Sequence, residues 1–597
     1  MDSQTTIPTT SSPKKEEDKK QNIKRTNLIQ LAGVVLLIVF VNIIGYFFYL
    51  RFDLTAEKRY TLAPSTKKLL KEADDIIYFK VYLEGDFPAD FKQLRNETRE
   101  MLNQFRAYNK NIEYEFINPN TVSTDRAEQN AFYQRLVDKN IQPTQINERK
   151  KDGMQQLLIF PAAEVLYREK ETVVQLLSSQ RYVSEAELLN NSIQNLEYAL
   201  TDGIRRVTAK KKNKIGFVRG YGEFGKENLF DIQVALSEYY NVENVEINER
   251  INSLTERVAG FKDSTKIVFQ NKYDALIITR PTKPFSDKDL FILDQYVMYG
   301  GKILWLIDPL DATMDSLERN DEAIAMRYDL RLENLLFKYG VRVNPNLIMD
   351  IRNVPIPMAA GNPNPNGKPQ ITFMPWYYFP EIIPRSSHPI VKNINAIKAE
   401  FISSIDTIEN DIKKTVLLTS SEFARTINAP AIINLQIARE EPDERLFNKR
   451  FLPVAVLLEG NFSSAFKNRL DPTLTDSPEI GYLEESSPAK MIVVSDGDMI
   501  KNRYNYKEGF AYPIGYDQYT GMMYGNKEFI LNCVNYLCDD DGYLSTRSRE
   551  VKLRKLNVLK IKKEETKYQL VNIIAPILLV SIFTGALFFT RKRFFTK

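Results

Sequence analysis

Histidine and cysteine are scarce in this chain, and their scarcity excludes much metal and nucleophilic chemistry. The sequence holds one histidine and two cysteines. His388 stands in a turn-like SSHP context, so a site built from several imidazoles is excluded, and any catalytic Ser-His or Cys-His pair would have to use it. Cys533 and Cys538 fall on different faces of one predicted helix, so we expect buried free thiols rather than a disulfide.

A strong excess of either charge is also missing. The chain has 81 lysines and arginines against 77 aspartates and glutamates, and part of its formal net charge of +4 belongs to the flanks of its apolar ends. No basic stripe with interleaved aromatics is present, so we predict no nucleic-acid partner. A content of 43% hydrophobic and 26% charged residues is typical of folded proteins, and the central part is long enough for two or three domains.

Charged side chains are absent from residues 28–50 and 570–590. Each stretch matches the roughly 20 residues that cross a bilayer core, so both are predicted transmembrane helices. The first is longer than the apolar segment of a signal peptide, which has about 7–15 residues, and no small-residue cleavage site follows it. We therefore expect an uncleaved membrane anchor near each end of the sequence.

Basic residues flank the first span unevenly, because more of them precede it than follow it. The positive-inside rule then keeps the N-terminus in the cytoplasm, and the second span returns the C-terminus there. We predict a disordered cytoplasmic tail at 1–27, a short one at 591–597, and the bulk outside the bacterial cytoplasmic (inner) membrane, in the periplasm. Within the spans, Asn42, Ser581 and Gly585 are candidate contacts with partner helices.

Alternating strands and helices between the spans predict an α/β body in two domains. The first domain is expected at 51–212 and the second at 213–545, with an insertion at about 310–400 and then a basic connector at 546–569. Ser184 begins the last helix of the first domain with a capping box. The other elements predicted there are strands at 76–83, 112–119, 155–160 and 172–177 and a helix from Phe91 to Tyr108.

The strands of the second domain are continuously apolar, which predicts a doubly wound, largely parallel sheet with helices on both faces. Ser286 can cap one of these helices, and Gly300 can stop it. Three later strands indicate that the sheet resumes after the insertion. The predicted strands are 214–218, 244–247, 275–279, 302–307, 415–420, 453–458 and 490–495, and the helices are 228–239, 287–299 and 526–538.

Candidate ligand or partner residues follow from this topology, because ligands of such sheets bind outside the carboxyl ends of the strands. Arg280, Asp308 and Asp496 each follow a predicted strand. Asp498 lies close by, and acidic residues at strand ends are able to bind metals. No fixed ligand spacing is present, however, so no metal site is predicted.

The loop RGYGEFGKE after strand 214–218 matches two nucleotide-binding patterns in part. Gly220, Gly222 and Gly225 have the GxGxxG spacing of dinucleotide sites, and the stretch also matches the first part of a phosphate-binding loop. Glu223 places a negative charge inside the loop, and a second glutamate stands where a magnesium-binding Ser or Thr is needed. We therefore predict no cofactor and interpret the loop as a structural turn or a degenerate ligand loop.

An aromatic cluster follows the turn-rich residues 360–370. It is either a partner contact or local core beneath the loop, and the second interpretation is favoured because aromatic side chains bury so much area. Its members are Phe373, Trp376, Tyr377, Tyr378 and Phe379.

Three long segments carry a family resemblance: 53–62 after the first span, 273–317, and 525–556 before the second span. They resemble the GldG family of auxiliary, substrate-binding-like proteins of ABC transporters associated with gliding motility. The resemblance implies a complex subunit that works with a separate ABC permease and a cytoplasmic ATPase. Relatives often carry histidine in the glycine loop where Tyr221 stands here, so an acid-base role for that loop is not expected.

The sequence also lacks a complete ATPase motif, so ATP hydrolysis is expected from another polypeptide. We predict a membrane-anchored auxiliary subunit that couples an unknown periplasmic ligand or protein to the permease and the ATPase, without enzymatic activity of its own. Two alternatives stay open. One is a structural scaffold of a motility or secretion machine that transports nothing itself, and the other is a membrane-anchored enzyme.

Overall fold

The structure is a computed structural model of a chain that divides into two compact units, Met1–Thr61 and Leu62–Lys597. Predictions for residues 1–12, 48–60, 360–369 and 549–557, among them the turn-rich loop and the start of the first domain, lie outside the described residues. The described residues are 13–47, 61–150, 153–209, 212–259, 267–317, 320–359, 370–548 and 558–595.

The first unit contains helix α1, Pro13–Phe47. It begins well before the span predicted from residue 28, so the prediction of a disordered tail is wrong from Pro13 onward. The segment after this proline is rich in lysine, glutamate and glutamine, which are good helix formers, and proline is favoured in the first turn of a helix.

The N-terminal part of the second unit is a small α/β layer with its own hydrophobic core. Its sheet has the order β2-β1-β5-β6, in which only β1 and β2 are parallel. Its elements are α2 (Pro64–Glu72), β1 (Ile77–Val81), α3 (Ala89–Tyr108), β2 (Ile112–Phe116), α4 (Arg126–Asp138), β3 (Thr144–Lys150), β4 (Gly153–Ile159), β5 (Ala162–Tyr167), β6 (Lys170–Gln175) and α5 (Glu185–Thr208).

Two features of this layer bear on the sequence predictions. The Ser184 hydroxyl accepts a hydrogen bond from the Glu187 N–H at 3.2 Å, which confirms the predicted start of α5. Strand β5, at the centre of the sheet, was not predicted. It carries Glu164, whose buried carboxylate lies 3.1 Å from the Lys139 ammonium, and such a paired charge interrupts the apolar pattern that marks a buried strand.

A seven-stranded sheet follows, in the order β21-β24-β25-β12-β11-β7-β8. The strands from β25 to β8 are parallel, and β24 and β21 add antiparallel strands at one edge. The first elements of this part of the chain, in which β9 and β10 form a separate two-stranded sheet, are β7 (Lys214–Arg219), α6 (Phe230–Ser237), β8 (Asn241–Glu246), β9 (Thr255–Ala259), β10 (Ile267–Asn271), β11 (Ala275–Thr279), α7 (Asp287–Met298) and β12 (Ile303–Leu306).

The chain then leaves the sheet and returns to it several times, forming two-stranded sheets outside it. The elements of this stretch are α8 (Met314–Leu317), β13 (Glu322–Ala325), α9 (Glu333–Tyr339), β14 (Val341–Val343), β15 (Asn346–Asp350), β16 (Ile356–Ala359), β17 (Ile371–Met374), β18 (Glu381–Ile382), β19 (Ile397–Lys398), β20 (Ile405–Thr407), β21 (Lys413–Thr419), β22 (Ala424–Asn428), β23 (Ala431–Asn434), β24 (Pro453–Gly460), α10 (Pro472–Thr475), β25 (Ala489–Val494), β26 (Tyr504–Asn505), β27 (Phe510–Ala511), β28 (Tyr516–Asp517), β29 (Met522–Met523) and α11 (Asn526–Cys538).

Helices cover both faces of the seven-stranded sheet. Leu236 of α6 and Phe529 of α11 pack into the core on one face, and Leu293 of α7 and Leu336 of α9 pack into the core on the other. The Ser286 hydroxyl accepts from the Asp289 N–H at 3.1 Å, as expected for the start of α7. The mixed α/β class predicted from the sequence is confirmed, including the return of the sheet after the insertion.

The insertion has a hydrophobic core of its own. Trp376, Tyr377, Tyr378 and Phe379 are buried in it, which confirms the interpretation of the aromatic cluster as local core, whereas Phe373 is 46% exposed. Strands β22 and β23 pair with β15 and β13, so strands of the insertion also come from beyond the predicted end near residue 400.

The scarce histidine and cysteine residues lie in structural positions. Cys533 and Cys538 are buried free thiols in α11, as predicted. His388 lies in a turn with its ring 4.9 Å from the Tyr536 ring, and burial lowers its pKa. None of the three takes part in the site described below.

Two helices are long and apolar enough to cross a membrane by length and composition. They are Lys24–Ile43 within α1 and Lys563–Arg593 within α12, Val558–Phe595. Their apolar side chains are exposed, an arrangement that is favourable in lipid and costly in water. Helix α12 also includes residues 558–569, which the sequence predicted as part of a connector.

Candidate functional site

The carboxyl ends of the parallel strands bring the predicted site residues to one edge of the sheet. Thr279 at the end of β11 is paired with Leu306 of β12, and Leu306 is paired with Val494 of β25. Arg280, Asp308 and Asp496 follow directly at this edge, as the topology predicted. The glycine loop follows β7, the neighbour of β11 on the other side.

The glycine loop holds a carboxylate of its own chain. Glu223 accepts hydrogen bonds from the Gly220 N–H at 3.1 Å and the Tyr221 N–H at 2.9 Å. It also forms an ion pair with Arg219 at 3.2 Å. These are the kind of backbone donors that a phosphate group uses in a nucleotide-binding loop. A phosphate would therefore have to displace an anion that is already bonded, which is the physical reason to interpret the loop as structural.

The same loop is joined to the loop after β11. The N–H groups of Thr282 and Lys283 donate to the Tyr221 carbonyl at 2.8 and 3.0 Å, and the Thr282 hydroxyl donates to the Gly222 carbonyl. Gly222 has a φ of +80°, and a Cβ there would lie 2.1 Å from the Thr282 hydroxyl oxygen, so only glycine fits. The Tyr221 ring stacks on Phe285 at 3.8 Å. The crevice between β7 and β11 is thus filled by the protein itself.

Three carboxylates meet beside Arg280. Oxygen atoms of Asp308, Asp496 and Asp498 all lie within 4.8 Å of one another. The Arg280 Nε lies 2.8 Å from Asp308 Oδ2 and 3.8 Å from Asp498 Oδ2, and the Gly497 N–H donates to Asp308 Oδ1 at 2.5 Å. The guanidinium thus supplies a positive charge against this cluster.

Burial decides the protonation of these carboxylates. Burial and the neighbouring Asp498 raise the pKa of Asp308 to about 7, against the opposing effect of Arg280. Burial and the other two carboxylates raise the pKa of Asp496 well above its ordinary value. Burial raises the pKa of Asp498 as well, against Lys501 and Arg280. Burial therefore favours the protonated form of each of these carboxylates.

The spacing of these oxygen atoms would also suit a divalent cation. Asp308 and Asp496 are 5% and 1% exposed, so a cation would have to enter a nearly closed site in which the Arg280 guanidinium is already paired with Asp308. The sequence-based expectation of no metal site stays a prediction.

A cavity of about 990 Å³ opens beside this cluster. Arg280 and Asp498 lie in its wall, and the glycine loop contributes Phe224, whose ring centroid is 5.2 Å from both the Arg280 guanidinium and the Lys501 ammonium. The insertion supplies part of the opposite wall, including Phe379. The carboxyl edge of the sheet therefore faces an open space lined by aromatic and charged side chains.

The segment from 502 to 525, which was not predicted to take part in the site, forms much of the cavity wall through the hairpins β26–β27 and β28–β29. The feature that could have identified this segment in the sequence is its high density of aromatic residues between glycine turns. The aromatic residues are Tyr504, Tyr506, Phe510, Tyr512, Tyr516, Tyr519 and Tyr524.

A group of charges in the cavity was also missed. The Lys398 ammonium lies 3.1 Å from both Glu400 and Asp517. Burial alone would raise the pKa of Glu400, but the cations Lys398, Arg503 and Lys501 lower it below its ordinary value. Lys398 and Glu400 come from the insertion and the other members from the segment after β25, so no local motif unites them.

The residues singled out from the sequence within the two predicted spans lie on exposed helix surfaces. The Asn42 side chain donates to the Ile38 carbonyl of its own helix at 2.9 Å. Ser581 and Gly585 are exposed on α12, and a Cβ at Gly585 would meet nothing within 4 Å. Their role as contacts with partner helices stays a prediction.

Comparisons with known proteins match two parts of the chain. The model of the family described as an ABC-type uncharacterized transport system, auxiliary component, matches residues 212–533, and that of a domain of unknown function (DUF7088) matches residues 56–166. No curated protein matches. Among solved structures, the mmIFT52 N-terminal domain is similar at 13% identity and a TM-score of 0.29, over 55% of this chain and 98% of that one.

The match at 212–533 takes in more than half of the chain and includes the seven-stranded sheet, the carboxylate cluster and every residue that lines the cavity. The chain therefore belongs to the family of auxiliary proteins of ABC-type transport systems.

Proposed function

We propose that this protein is the membrane-anchored, non-hydrolytic auxiliary subunit of an ABC-type transport complex associated with gliding motility. Its cavity holds a ligand, and its two spans connect that cavity to a separate permease and ATPase. The observation that carries the proposal is the cavity itself, at the carboxyl edge of a largely parallel sheet where ligands of such folds bind.

Two observations support a binding role over ATP hydrolysis. The loop that most resembles a phosphate site is occupied by Glu223, so its backbone donors are not free for a nucleotide. The carboxylates whose pKa values are raised most, Asp308 and Asp496, lie behind the cavity wall rather than in it. Buried acids without access to a substrate serve the architecture of the site.

The proposed location is the periplasmic side of the inner membrane, with both termini in the cytoplasm. The support is the excess of basic residues before the first span, together with the presence of one apolar helix near each end. A signal from a cytoplasmic ATPase would then reach the cavity through the permease and the two spans.

Affinity purification of the full chain from its native membranes in mild detergent tests this function. We expect a permease and an ATPase to co-purify in a fixed ratio. Recovery of the chain without either protein would contradict the proposal. If the protein still supports the motility or secretion machine when ATP hydrolysis is blocked, the scaffold alternative would be favoured.

The spans offer a second test. Cysteine introduced at Asn42 or Gly585 should crosslink to the permease, because small and polar residues mark helix contacts in lipid. Crosslinks formed only between copies of this chain would contradict a contact with the permease.

A further inference from the structure

The charges that line the cavity are unevenly matched. The wall contains five basic side chains and four carboxylates. Arg280 pairs with Asp308 and Asp498, and Lys501 lies 3.3 Å from Asp498. Lys398 is likewise bonded to two carboxylates. Most of these cations are thus neutralised by the protein itself.

Arg503 is not neutralised by an ion pair in this way. Among the residues that the structure describes, it forms no direct ion pair with a carboxylate, and Glu400 and Asp517 attract it only from a longer range. Its guanidinium lies 5.4 Å from the centroid of the Tyr519 ring. A half-buried guanidinium remains charged at any physiological pH and loses part of its hydration, so an anion from outside would compensate it.

Several aromatic rings line the same cavity as this guanidinium. Tyr504, Tyr512, Tyr516 and Tyr519 line the same wall, and Tyr512 and Tyr516 are stacked at 5.6 Å. Tyr506 is 74% exposed at the same hairpin. Exposed rings beside an arginine give a ligand two kinds of contact, with ring faces for a flat group and a planar fork of donors for an oxyanion.

A cationic ligand fits this wall less well. Three of the four wall carboxylates are already paired with Arg280, Lys398 or Lys501, so that only the exposed Asp315 could attract it, whereas Arg503 and Lys507 would repel it. Burial raises the pKa values of Asp308 and Asp496 behind the wall, which reduces the negative charge that they add to the cavity.

We infer that the cavity takes a ligand that joins a flat ring to an oxyanion, either a carboxylate or a phosphate, with Arg503 binding the oxyanion and the tyrosines of 504–519 contacting the ring. This inference rests on the proposed function, because it assigns the ligand class of the same cavity. The guanidinium fork binds both oxyanions in the same bidentate way.

Calorimetric titration of the full chain in detergent tests the inference with three probes: phenyl phosphate, benzoate and the uncharged benzyl alcohol. We expect at least one of the two anions to bind and benzyl alcohol to bind at least tenfold more weakly. Binding of phenyl phosphate alone would identify a phosphate ligand, and binding of benzoate alone a carboxylate ligand. Equal binding of the neutral probe, or no binding of either anion, would overturn the inference.

Arg503→Gln should weaken binding of the anion at least tenfold, and Arg503→Lys, which keeps the charge without the fork, should fall in between. Arg445→Gln is the matched control, because Arg445 is 89% exposed, pairs with Asp443 and lies outside the cavity lining. Unchanged affinity in a folded Arg503→Gln variant would overturn the assignment. Loss of the co-purifying ATPase and permease with anion binding intact would refute only the proposed function.

Discussion

Replacing Asp308 with asparagine should remove much of the pH dependence of stability that the carboxylate cluster creates. The wild-type carboxyl has its pKa raised from 3.8 to about 7 by burial and by Asp498. Between these two values the folded chain holds a proton that the unfolded chain releases. The free energy of unfolding therefore falls as the pH rises from about 4 to 7, and the loss is complete above that window.

The magnitude follows from the size of the displacement. At about 1.4 kcal/mol per pKa unit, the difference between 3.8 and about 7 amounts to about 4 kcal/mol. An asparagine oxygen still accepts the hydrogen bond from the Gly497 N–H but loses the charge attraction to Arg280. About two of these pKa units lie above pH 5, so we expect the decline in stability between pH 5 and 8 to be smaller in the variant by about 2–3 kcal/mol.

Urea unfolding followed by tryptophan fluorescence is a suitable assay. The chain has two tryptophans, Trp305 and Trp376, and both are fully buried. Trp305 lies in β12, the strand that leads to Asp308. The fluorescence change thus reports the body and not the spans.

Asp315→Asn is the matched control, because Asp315 is an exposed carboxylate in the wall of the same cavity. It should leave the pH profile unchanged. Parallel pH profiles for the wild type and the Asp308→Asn variant would refute the assignment of a buried, proton-retaining carboxyl at this position.

Two further substitutions test the architecture around the cavity. Glu223→Ala should destabilise the body by about 2 kcal/mol, because two backbone N–H groups and Arg219 lose their partner, and a shift of the urea midpoint measures the loss. An unchanged midpoint would refute the role of Glu223 in the glycine loop. Gly497→Ala should cost about 1–3 kcal/mol in the same assay, because the new Cβ would lie 2.6 Å from the Arg280 Cβ, and a neutral effect would contradict the tight packing described.

The central strands could be predicted from sequence because they are apolar on both faces. The strand ALIIT of β11 is buried at every position, and such a run leaves little alternative to an interior strand. Ser286 and Gly300 mark the ends of α7 through local hydrogen bonds and turn geometry. These signals are local, so a single sequence contains them.

Pairings between distant segments could not be predicted in this way. Strands β13 and β15 find their partners in β23 and β22, which lie far along the chain, and nothing in their short sequences specifies that register. The antiparallel hairpin β9–β10 was missed for a similar reason, because its short strands mix polar and apolar residues and are partly exposed.

The same difference between local signals and long-range packing explains which residues of the candidate site were predicted. Arg280, Asp308 and Asp496 were predicted because each directly follows a strand of the parallel sheet, and the carboxyl ends of such strands share one edge. Lys398 and Arg503 were missed because they reach the cavity from the insertion and from the hairpins after β25. Their contribution depends on how those segments pack on the sheet, and a single sequence does not reveal it.

We propose that the ligand cavity lies across the membrane from the ATPase. Cysteine placed at Tyr506, which is 74% exposed at the cavity, gives a reporter with little background because Cys533 and Cys538 are buried. A membrane-impermeant maleimide added to intact spheroplasts should label the Tyr506→Cys variant at once. Labelling that appears only after the membrane is permeabilised would place the cavity in the cytoplasm and contradict the proposed periplasmic location.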